Sequence, residues 1–170
     1  MRNPEWTQQR SFTRGEVFFV NLPTEPKVDP DPSHVMAGDH RCVVLFDSTF
    51  PRKTVTILPI TSLFNQKGEQ KKTIASDVIL KASDYEQAGT TYKNTIVKDS
   101  LIRTEQIRSV SRHLLERKIG ELHPDDMIRL DINLITSLKL QNTVNMLIEA
   151  EIERRGMPAQ NRPRQSGMER

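Results

Sequence analysis

The sequence predicts a mainly β fold of the α+β class, a small and strongly curved barrel-like sheet with a C-terminal helix or helices. Two observations predict it. Short apolar runs rich in β-branched and aromatic residues recur up to residue 122, separated by irregular polar segments, as in small barrels. After residue 123 the apolar spacing changes to the three-and-four period of a helix. A chain of 170 residues is long enough for one domain with extensions.

The first strand is predicted at 16–22, which is apolar and aromatic and ends at Pro23. Residues 23–40 hold four prolines without periodicity, which predicts a long loop. Strands at 42–46 and 54–60 follow, and Pro59 indicates an edge position or a bulge, because proline cannot donate to a ladder. Further strands are predicted at 78–80, 100–103 and 106–110, with a strand or turn at 114–122 and a single helical turn at 83–86.

A helix is predicted to begin at His123-Pro124-Asp125-Asp126, because proline and acidic side chains favour a first turn. Two apolar stripes follow it, and the second is rotated from the first by more than 90° at 100° per residue. Either the helix breaks near 139–143, giving two core helices, or one long helix buries two surfaces. The stripes are Met127, Leu130, Leu134 and Leu138, then Leu140, Val144, Leu147, Ile148 and Ile152.

Composition divides the chain into a flexible segment 1–13, a barrel 14–122, helices 123–152 and a basic, disordered tail 153–170. The tail holds five arginines and two glutamates, which accounts for the whole net charge of +3. Bulk charge is therefore weak evidence that the folded part binds nucleic acid. No apolar run approaches the ~18 residues of a membrane span. We expect a soluble, cytoplasmic protein without a membrane association.

Cofactor and metal chemistry has no recognisable motif in the sequence: a phosphate-binding glycine loop, a dinucleotide fingerprint and HExxH are all absent. The four histidines lack ligand spacing, so we predict neither a metal site nor a cofactor. The single cysteine, Cys42, excludes an intramolecular disulfide. It stands at the head of an apolar strand, and we interpret it as a core residue rather than a nucleophile.

One local constellation could carry chemistry. Arg41 ends the long loop where a strand begins, and Thr61-Ser62 ends the third strand. Polar groups at strand ends lie at the rim of a sheet, and a guanidinium fork suits a phosphate. The alternative is that Arg41 makes a surface ion pair and that Thr61-Ser62 caps a turn. His40, beside Arg41, is a candidate for proton transfer, or simply a solvated loop histidine.

Three segments, taken together, resemble the MazF/PemK (Kid) family of toxin endoribonucleases. They are RGEVFFVNL at 14–22, GDHRCVVL at 38–45 followed by TILPITS at 56–62, and EQIRSV at 105–110 followed by LLERKIGEL at 114–122. The match spans about 14–150 in order. The chain departs from the family pattern at Cys42, where proline is usual, in its longer Pro/Asp-rich loop, and in its longer final helix and tail.

The resemblance implies an SH3-like or plasmid-maintenance-toxin barrel, a homodimer, and metal-independent cleavage of single-stranded RNA. It also implies a cognate antitoxin protein. Carried over by position, the catalytic residues are Arg41 and Thr61, while Gln106 and Arg108 are structural or line the RNA groove. The substrate's 2′-hydroxyl would attack the phosphate and leave a 2′,3′-cyclic end.

The contacts expected to set the RNA sequence preference lie in loops 23–40 and 63–73. Ser62 and Phe64 join Gln106 and Arg108 as candidates for RNA binding, and Phe64, Tyr85 and Tyr92 are the loop aromatics available for stacking. Of Phe18 and Phe19, at least one is expected in the core. Two alternatives keep the barrel without cleavage: binding of a protein target such as a topoisomerase, or binding of nucleic acid.

Overall fold

The computed structural model describes residues 10–24 and 35–156. Strands and helices follow the predicted order, with two short 3-10 turns at Thr104–Gln106 and Arg112–Leu114. The strands are β1 (Glu16–Leu22), β2 (Gly38–Val44), β3 (Thr54–Ser62), β4 (Asp77–Leu80), β5 (Ser100–Arg103), β6 (Arg108–Ser111) and β7 (Leu115–Glu121). The helices are α1 (Ala82–Glu86), α2 (Pro124–Ser137) and α3 (Gln141–Gly156).

All strand pairs of the described residues are antiparallel, in the order β4-β5-β3-β2-β1-β7, with β6 paired to the first half of β3. The mainly β, α+β prediction is therefore confirmed. The Thr104–Gln106 turn makes the predicted kink between β5 and β6, so that both strands pair with β3. Two register shifts between β1 and β7 bend that edge of the sheet.

Both faces of the sheet are apolar, which is why its strands read as nearly continuous apolar runs rather than as alternating ones. Consecutive residues of one strand enter different clusters: Val17 and Val43 belong to one, Phe18 and Cys42 to the other. The first cluster continues into α2 through Leu130. Phe18 is fully buried, as expected of at least one of the two phenylalanines.

Pro59 lies in the middle of the sheet, so the predicted edge position is wrong. The ladder explains how a central strand accepts it. The pairing of β3 with β6 ends at Ile57, and its pairing with β5 begins at Ile60. Pro59 therefore occupies the gap between two neighbours on that side, where no ladder bond requires its missing N–H.

The second strand begins earlier than predicted, because Gly38 to Arg41 already pair with β1. Gly38 has a φ of +81°, a conformation that suits glycine at the entry to a strand. Most of the predicted loop, residues 25–34, lies outside the described residues. Within the predicted flexible segment 1–13, Phe12 is buried and exchanges two backbone hydrogen bonds with Ser48, whereas residues 1–9 lie outside the described residues.

Helix α2 begins where the sequence predicts, and His123 Nδ1 caps it by accepting from the Asp125 N–H at 3.4 Å. It packs on the sheet beside Tyr85, whose hydroxyl donates to Asp126 Oδ2 at 2.8 Å. Tyr85 is completely buried, so its proposed role in base stacking is wrong. Tyr92 also turns inward, against the core and the ring of His123.

The helical region breaks at Lys139, whose φ of +55° places it in the left-handed conformation that ends many helices. Leu140 N–H then donates back to the Ile135 carbonyl at 2.9 Å, which completes the cap. A break near 139–143 is one of the two alternatives predicted from the apolar stripes, and a single long helix is the other. The expectation that both helices belong to the core is wrong for α3, which contains no buried residue.

Helix α3 runs to Gly156, beyond the predicted boundary at 152, and residues 157–170 of the predicted tail lie outside the described residues. Large apolar side chains stand exposed along it: Met146, Leu147, Ile148 and Ile152. In the described part of the chain, no helix has the length and apolar character needed to cross a membrane.

Candidate active site

The pairing of β2 with β3 sets the distance between the two principal candidates. Arg41 lies directly opposite Ile60 on β3 and opposite Phe19 on β1. Thr61 is therefore one position beyond the cross-strand partner of Arg41. Directly paired residues of an antiparallel ladder have Cα atoms about 4.5–5.5 Å apart, so the two candidates are diagonal neighbours.

Strand alternation alone would send the side chains of Arg41 and Thr61 to opposite faces of the sheet. Both nevertheless border one open cleft of about 320 Å³, beside the first half of β2 and the last residues of β3. Five further polar residues line it with them. Among the described residues, the lining consists of Phe19, Asp39, His40, Arg41, Ile60, Thr61, Ser62, Lys98 and Ser100.

The guanidinium of Arg41 lies over the ring of Phe19, with 5.6 Å between its Cζ and the ring centroid. Partial burial lowers the pKa of Arg41, and its Nε is buried without a hydrogen-bond partner. No carboxylate of the described residues forms an ion pair with it, so the surface ion pair considered as its alternative role is not formed there. The fork is thus equipped to bind an anion.

The hydroxyl of Thr61 accepts a hydrogen bond from Nζ of Lys71 at 3.0 Å. Because a hydroxyl that accepts keeps its own proton to donate, Thr61 can still bind a phosphate oxygen. Burial lowers the pKa of Lys71, and the charges of Arg103 and Lys98 lower it further. These cations mark a region of positive potential beside the cleft.

Lys71 reaches Thr61 because residues 63–71 fold back as a hairpin. Phe64 and Gln70 form a bridge, and the Lys71 N–H donates to the Leu63 carbonyl at 2.9 Å. The side chain of Asn65 accepts from two backbone N–H groups across the turn, which keeps the hairpin compact. The sequence predicts this segment as a polar loop that contacts RNA, but it does not single out Lys71 as a neighbour of Thr61.

His40 borders the cleft beside Arg41. Its Nδ1 lies 3.4 Å from the Ile60 carbonyl, which can only accept, so this contact favours a proton on Nδ1. The other ring nitrogen, Nε2, then keeps a lone pair. The neighbouring carboxylate, Asp39, accepts a hydrogen bond from the Asn21 amide at 2.6 Å.

The four residues named as RNA-binding candidates fall into two groups. Ser62 lines the cleft and accepts from the N–H of Phe64, whose ring is exposed at the base of the hairpin. Gln106 and Arg108 do not line it. Arg108 donates to the Met36 carbonyl at 2.8 Å and to Gln106, so the pair fastens the end of the long loop to the sheet.

Cys42 is fully buried opposite Phe18 and Pro59, as predicted for a core residue. Burial raises the pKa of its thiol to about 12, against an opposing effect of the Arg108 charge, so the reactive thiolate is scarce at neutral pH. Cysteine at this position, where the family usually has proline, does not interrupt β2, because each of its residues pairs with β1, with β3 or with both. Across residues 10–24 and 35–156, no three His, Cys, Asp or Glu side chains cluster as metal ligands.

A curved antiparallel sheet with C-terminal helices, and an open polar cleft beside β2 and β3, define the chain as a small, mainly β protein with one candidate active site. A family model described as the PemK-like, MazF-like toxin of type II toxin-antitoxin systems matches residues 13–138. That segment contains the whole sheet, the cleft and α2. The chain therefore belongs to this toxin family.

Among solved structures, MazF from Deinococcus radiodurans is similar in fold, with a TM-score of 0.52 at 15% sequence identity, over 76% of this chain and 98% of that one. An endoribonuclease in complex with its cognate antitoxin, from a mycobacterial species, gives a TM-score of 0.47 at 16% identity, over 75% and 95%. The toxin MazF-mt6 of Mycobacterium tuberculosis gives 0.48 at 13% identity, over 73% and 96%. No curated protein matches the chain significantly.

Proposed function

We propose that the chain is a sequence-specific endoribonuclease, the toxin of a toxin–antitoxin pair, and that it cleaves single-stranded RNA in the cytoplasm without a metal ion. The observation that carries the proposal is that Arg41 and Thr61 border one open cleft flanked by lysines. Membership of the toxin family supports it.

RNA cleavage by internal attack makes three chemical demands. A base takes the proton of the 2′-hydroxyl, the extra negative charge on phosphorus is stabilised, and the 5′-oxygen leaves with a proton. The product is a 2′,3′-cyclic phosphate. Arg41 can stabilise the extra negative charge, because its guanidinium can donate two parallel hydrogen bonds to phosphate oxygens. Thr61 adds a third donor from the neighbouring strand.

His40 is our candidate for the base. The contact of its Nδ1 with the Ile60 carbonyl leaves Nε2 with a lone pair that can accept the proton of the 2′-hydroxyl. Arg41 itself is a poor base, because guanidinium remains protonated in proteins. The reaction as proposed uses only side chains of the cleft and needs no cofactor.

The substrate preference is attributed to the surface around the cleft. RNA-binding proteins read splayed bases of single strands by stacking and edge contacts. Phe64 offers an exposed ring at the base of the hairpin, immediately after Ser62 in the cleft wall. A single strand whose phosphate lies at Arg41 could therefore place a neighbouring base on Phe64.

Two protein partners are part of the proposal: a cognate antitoxin and a second copy of the chain. The cationic cleft would attract an acidic antitoxin segment in competition with RNA. The exposed apolar residues of α3 offer a surface for a protein contact, since large apolar side chains seldom cluster on a surface without a partner.

The same α3 surface favours one second candidate function, a toxin that acts by binding a protein target such as a topoisomerase rather than by cutting RNA. Such a protein would use the helix and would not depend on Arg41. A barrel that binds nucleic acid without cutting it is separated by the same experiment, because it yields no cyclic-phosphate ends.

The test is end-mapping of RNA after incubation with purified protein in excess EDTA. We expect cuts at a short recurrent sequence, with 2′,3′-cyclic phosphate on one product and a 5′-hydroxyl on the other. The Arg41→Ala variant should cut at least about 10²-fold more slowly, the usual loss when one preorganised donor is removed.

Arg117→Ala is the matched control, because Arg117 lies over the same Phe19 ring at 5.5 Å but does not line the cleft. We expect it to cut like the wild type. RNA that stays intact with the wild-type protein, or cutting that stops in EDTA and returns with a divalent metal, would contradict the proposal.

A further inference from the structure

Lys71 is the described side chain that hydrogen-bonds directly to the hydroxyl of Thr61, at 3.0 Å. Its ammonium carries three protons, so two remain after that bond is made. The hairpin at 63–71 holds its backbone against the end of β3, through the bond from the Lys71 N–H to the Leu63 carbonyl. Lys71 is thus a fixed proton donor at the edge of the cleft.

We propose that Lys71 is the general acid of the cleavage, giving a proton from Nζ to the 5′-oxygen as it leaves phosphorus. This proposal rests on the proposed ribonuclease function. In the step, the bond from O2′ to phosphorus forms and the bond from phosphorus to O5′ breaks. The electron pair of the broken bond goes to O5′, which takes the Lys71 proton, while the 2′-hydroxyl proton goes to His40.

The surroundings of Lys71 make it a stronger acid than a free lysine. Burial lowers its pKa first, and the charges of Arg103 and Lys98 lower it further. Arg103 ends β5, the strand that pairs with Thr61, and Lys98 lies two residues before that strand begins. A general acid works best when its pKa approaches the working pH, and these shifts are in that direction.

The position relative to Thr61 also suits the role. If Thr61 binds a non-bridging phosphate oxygen, a group 3.0 Å from its hydroxyl lies within reach of another oxygen of the same phosphate. A lysine in this place supplies both charge and a transferable proton. Arginine at the same place would supply charge only, because guanidinium does not give up its proton.

The experiment compares two oligonucleotides with one mapped cleavage site: ordinary RNA, and the same RNA with sulfur replacing the bridging 5′-oxygen. A thiolate leaves without being protonated, so the sulfur substrate does not need a general acid. We expect Lys71→Met to cut the ordinary RNA about 10²–10⁴-fold more slowly than the wild type does. On the sulfur substrate it should cut within a few-fold of the wild type.

Three variants sharpen the comparison, and a thermal melt confirms that each is folded. Lys71→Arg should behave like Lys71→Met: it should cut ordinary RNA slowly and cut the sulfur-substituted RNA at nearly the wild-type rate. Arg41→Ala should be slow on both substrates. Lys93→Met is the matched control, because Lys93 is an exposed lysine outside loop 63–73, and it should equal the wild type on both substrates.

An equal loss of rate on both substrates would overturn the proposal, because Lys71 would then act through charge or position alone. No loss on ordinary RNA would overturn it as well. Failure of the wild type to cut ordinary RNA in EDTA would instead overturn the ribonuclease function on which this proposal rests, and both would fall together.

Discussion

The guanidinium of Arg41 lies over the ring of Phe19, its cross-strand partner on β1, at 5.6 Å from the ring centroid. An aromatic face attracts a cation, and this contact holds one face of the guanidinium of a residue that lines the cleft. The neighbour on β3, Ile60, adds an apolar wall. Arg41 is therefore oriented by strand pairing and by a ring, rather than by a carboxylate among the described residues.

Replacing Phe19 with leucine keeps an apolar contact and removes the aromatic face. An exposed cation–π contact contributes about 0.5–1 kcal/mol, so we expect kcat/KM for RNA to fall by about 2–5-fold. Single-turnover rates on one mapped RNA site would measure this. An unchanged rate in a properly folded variant would mean that Phe19 does not orient Arg41.

The rate of cleavage should depend on the protonation of Lys71. A general acid acts in its protonated form, so kcat should fall as pH rises through the pKa of Lys71. That fall should come at a lower pH than for an ordinary lysine, because burial, Arg103 and Lys98 all lower this pKa. The measurement is kcat against pH between about 6 and 11, bracketing the reference value for lysine.

Lys98→Ala tests the electrostatic part of this account. Removing one positive charge raises the pKa of Lys71, so the alkaline fall in kcat should move to higher pH. Lys72→Ala, an exposed lysine next to Lys71 whose charge is not among the causes of the shift, should move it less. A profile that moves to lower pH in Lys98→Ala would contradict the assignment.

The buried hydrogen bond from Tyr85 to Asp126 should be important for stability, since it joins α2 to α1 within the core. Asp126 also accepts from Arg129 at 2.7 Å, so Tyr85→Phe removes one of the two hydrogen bonds that the Asp126 carboxylate accepts from described side chains. Loss of a bond to a buried charged group costs about 1–3 kcal/mol. Urea unfolding would measure the lower free energy of unfolding.

The matched change for that measurement is Tyr92→Phe, because Tyr92 packs on the same core without a hydrogen bond from its hydroxyl to a described residue. We expect its free energy of unfolding to stay near that of the wild type. If both variants lose the same amount, the bond to Asp126 makes no special contribution.

Much of the fold follows from local pattern. The apolar runs at 16–22 and 54–60 predict strands because both of their faces are buried, and Pro124 marks the start of α2 because proline is favoured in a first turn. The edge position predicted from Pro59 is wrong because proline fits the middle of the sheet where the pairing of β3 passes from β6 to β5, and the local sequence does not show where that happens. The prediction that Tyr85 is available for base stacking is wrong because α2 buries it, and this tertiary contact is not visible in the local sequence.

The cleft was predictable in part. The sequence predicts both Arg41 and Thr61 at strand ends, and the family resemblance implies that both are catalytic. Thr61 does lie near the end of β3, whereas Arg41 lies in the middle of β2, because that strand already begins at Gly38. Lys71 could not be found in this way, because its contact with Thr61 depends on the register of the 63–71 hairpin. The sequence does show three lysines between 67 and 72, but their spacing does not indicate which of them contacts Thr61.

The central claim is that Arg41 and Thr61 act on one phosphate that the substrate's own 2′-hydroxyl attacks. It is tested most directly with an RNA carrying a single 2′-deoxy nucleotide at the mapped cleavage site, beside the all-ribose RNA, in excess EDTA. The account predicts that the wild type cuts the all-ribose RNA and leaves the deoxy site intact. It also predicts that Thr61→Val is slower on the all-ribose RNA. Efficient cutting at the deoxy site would contradict it.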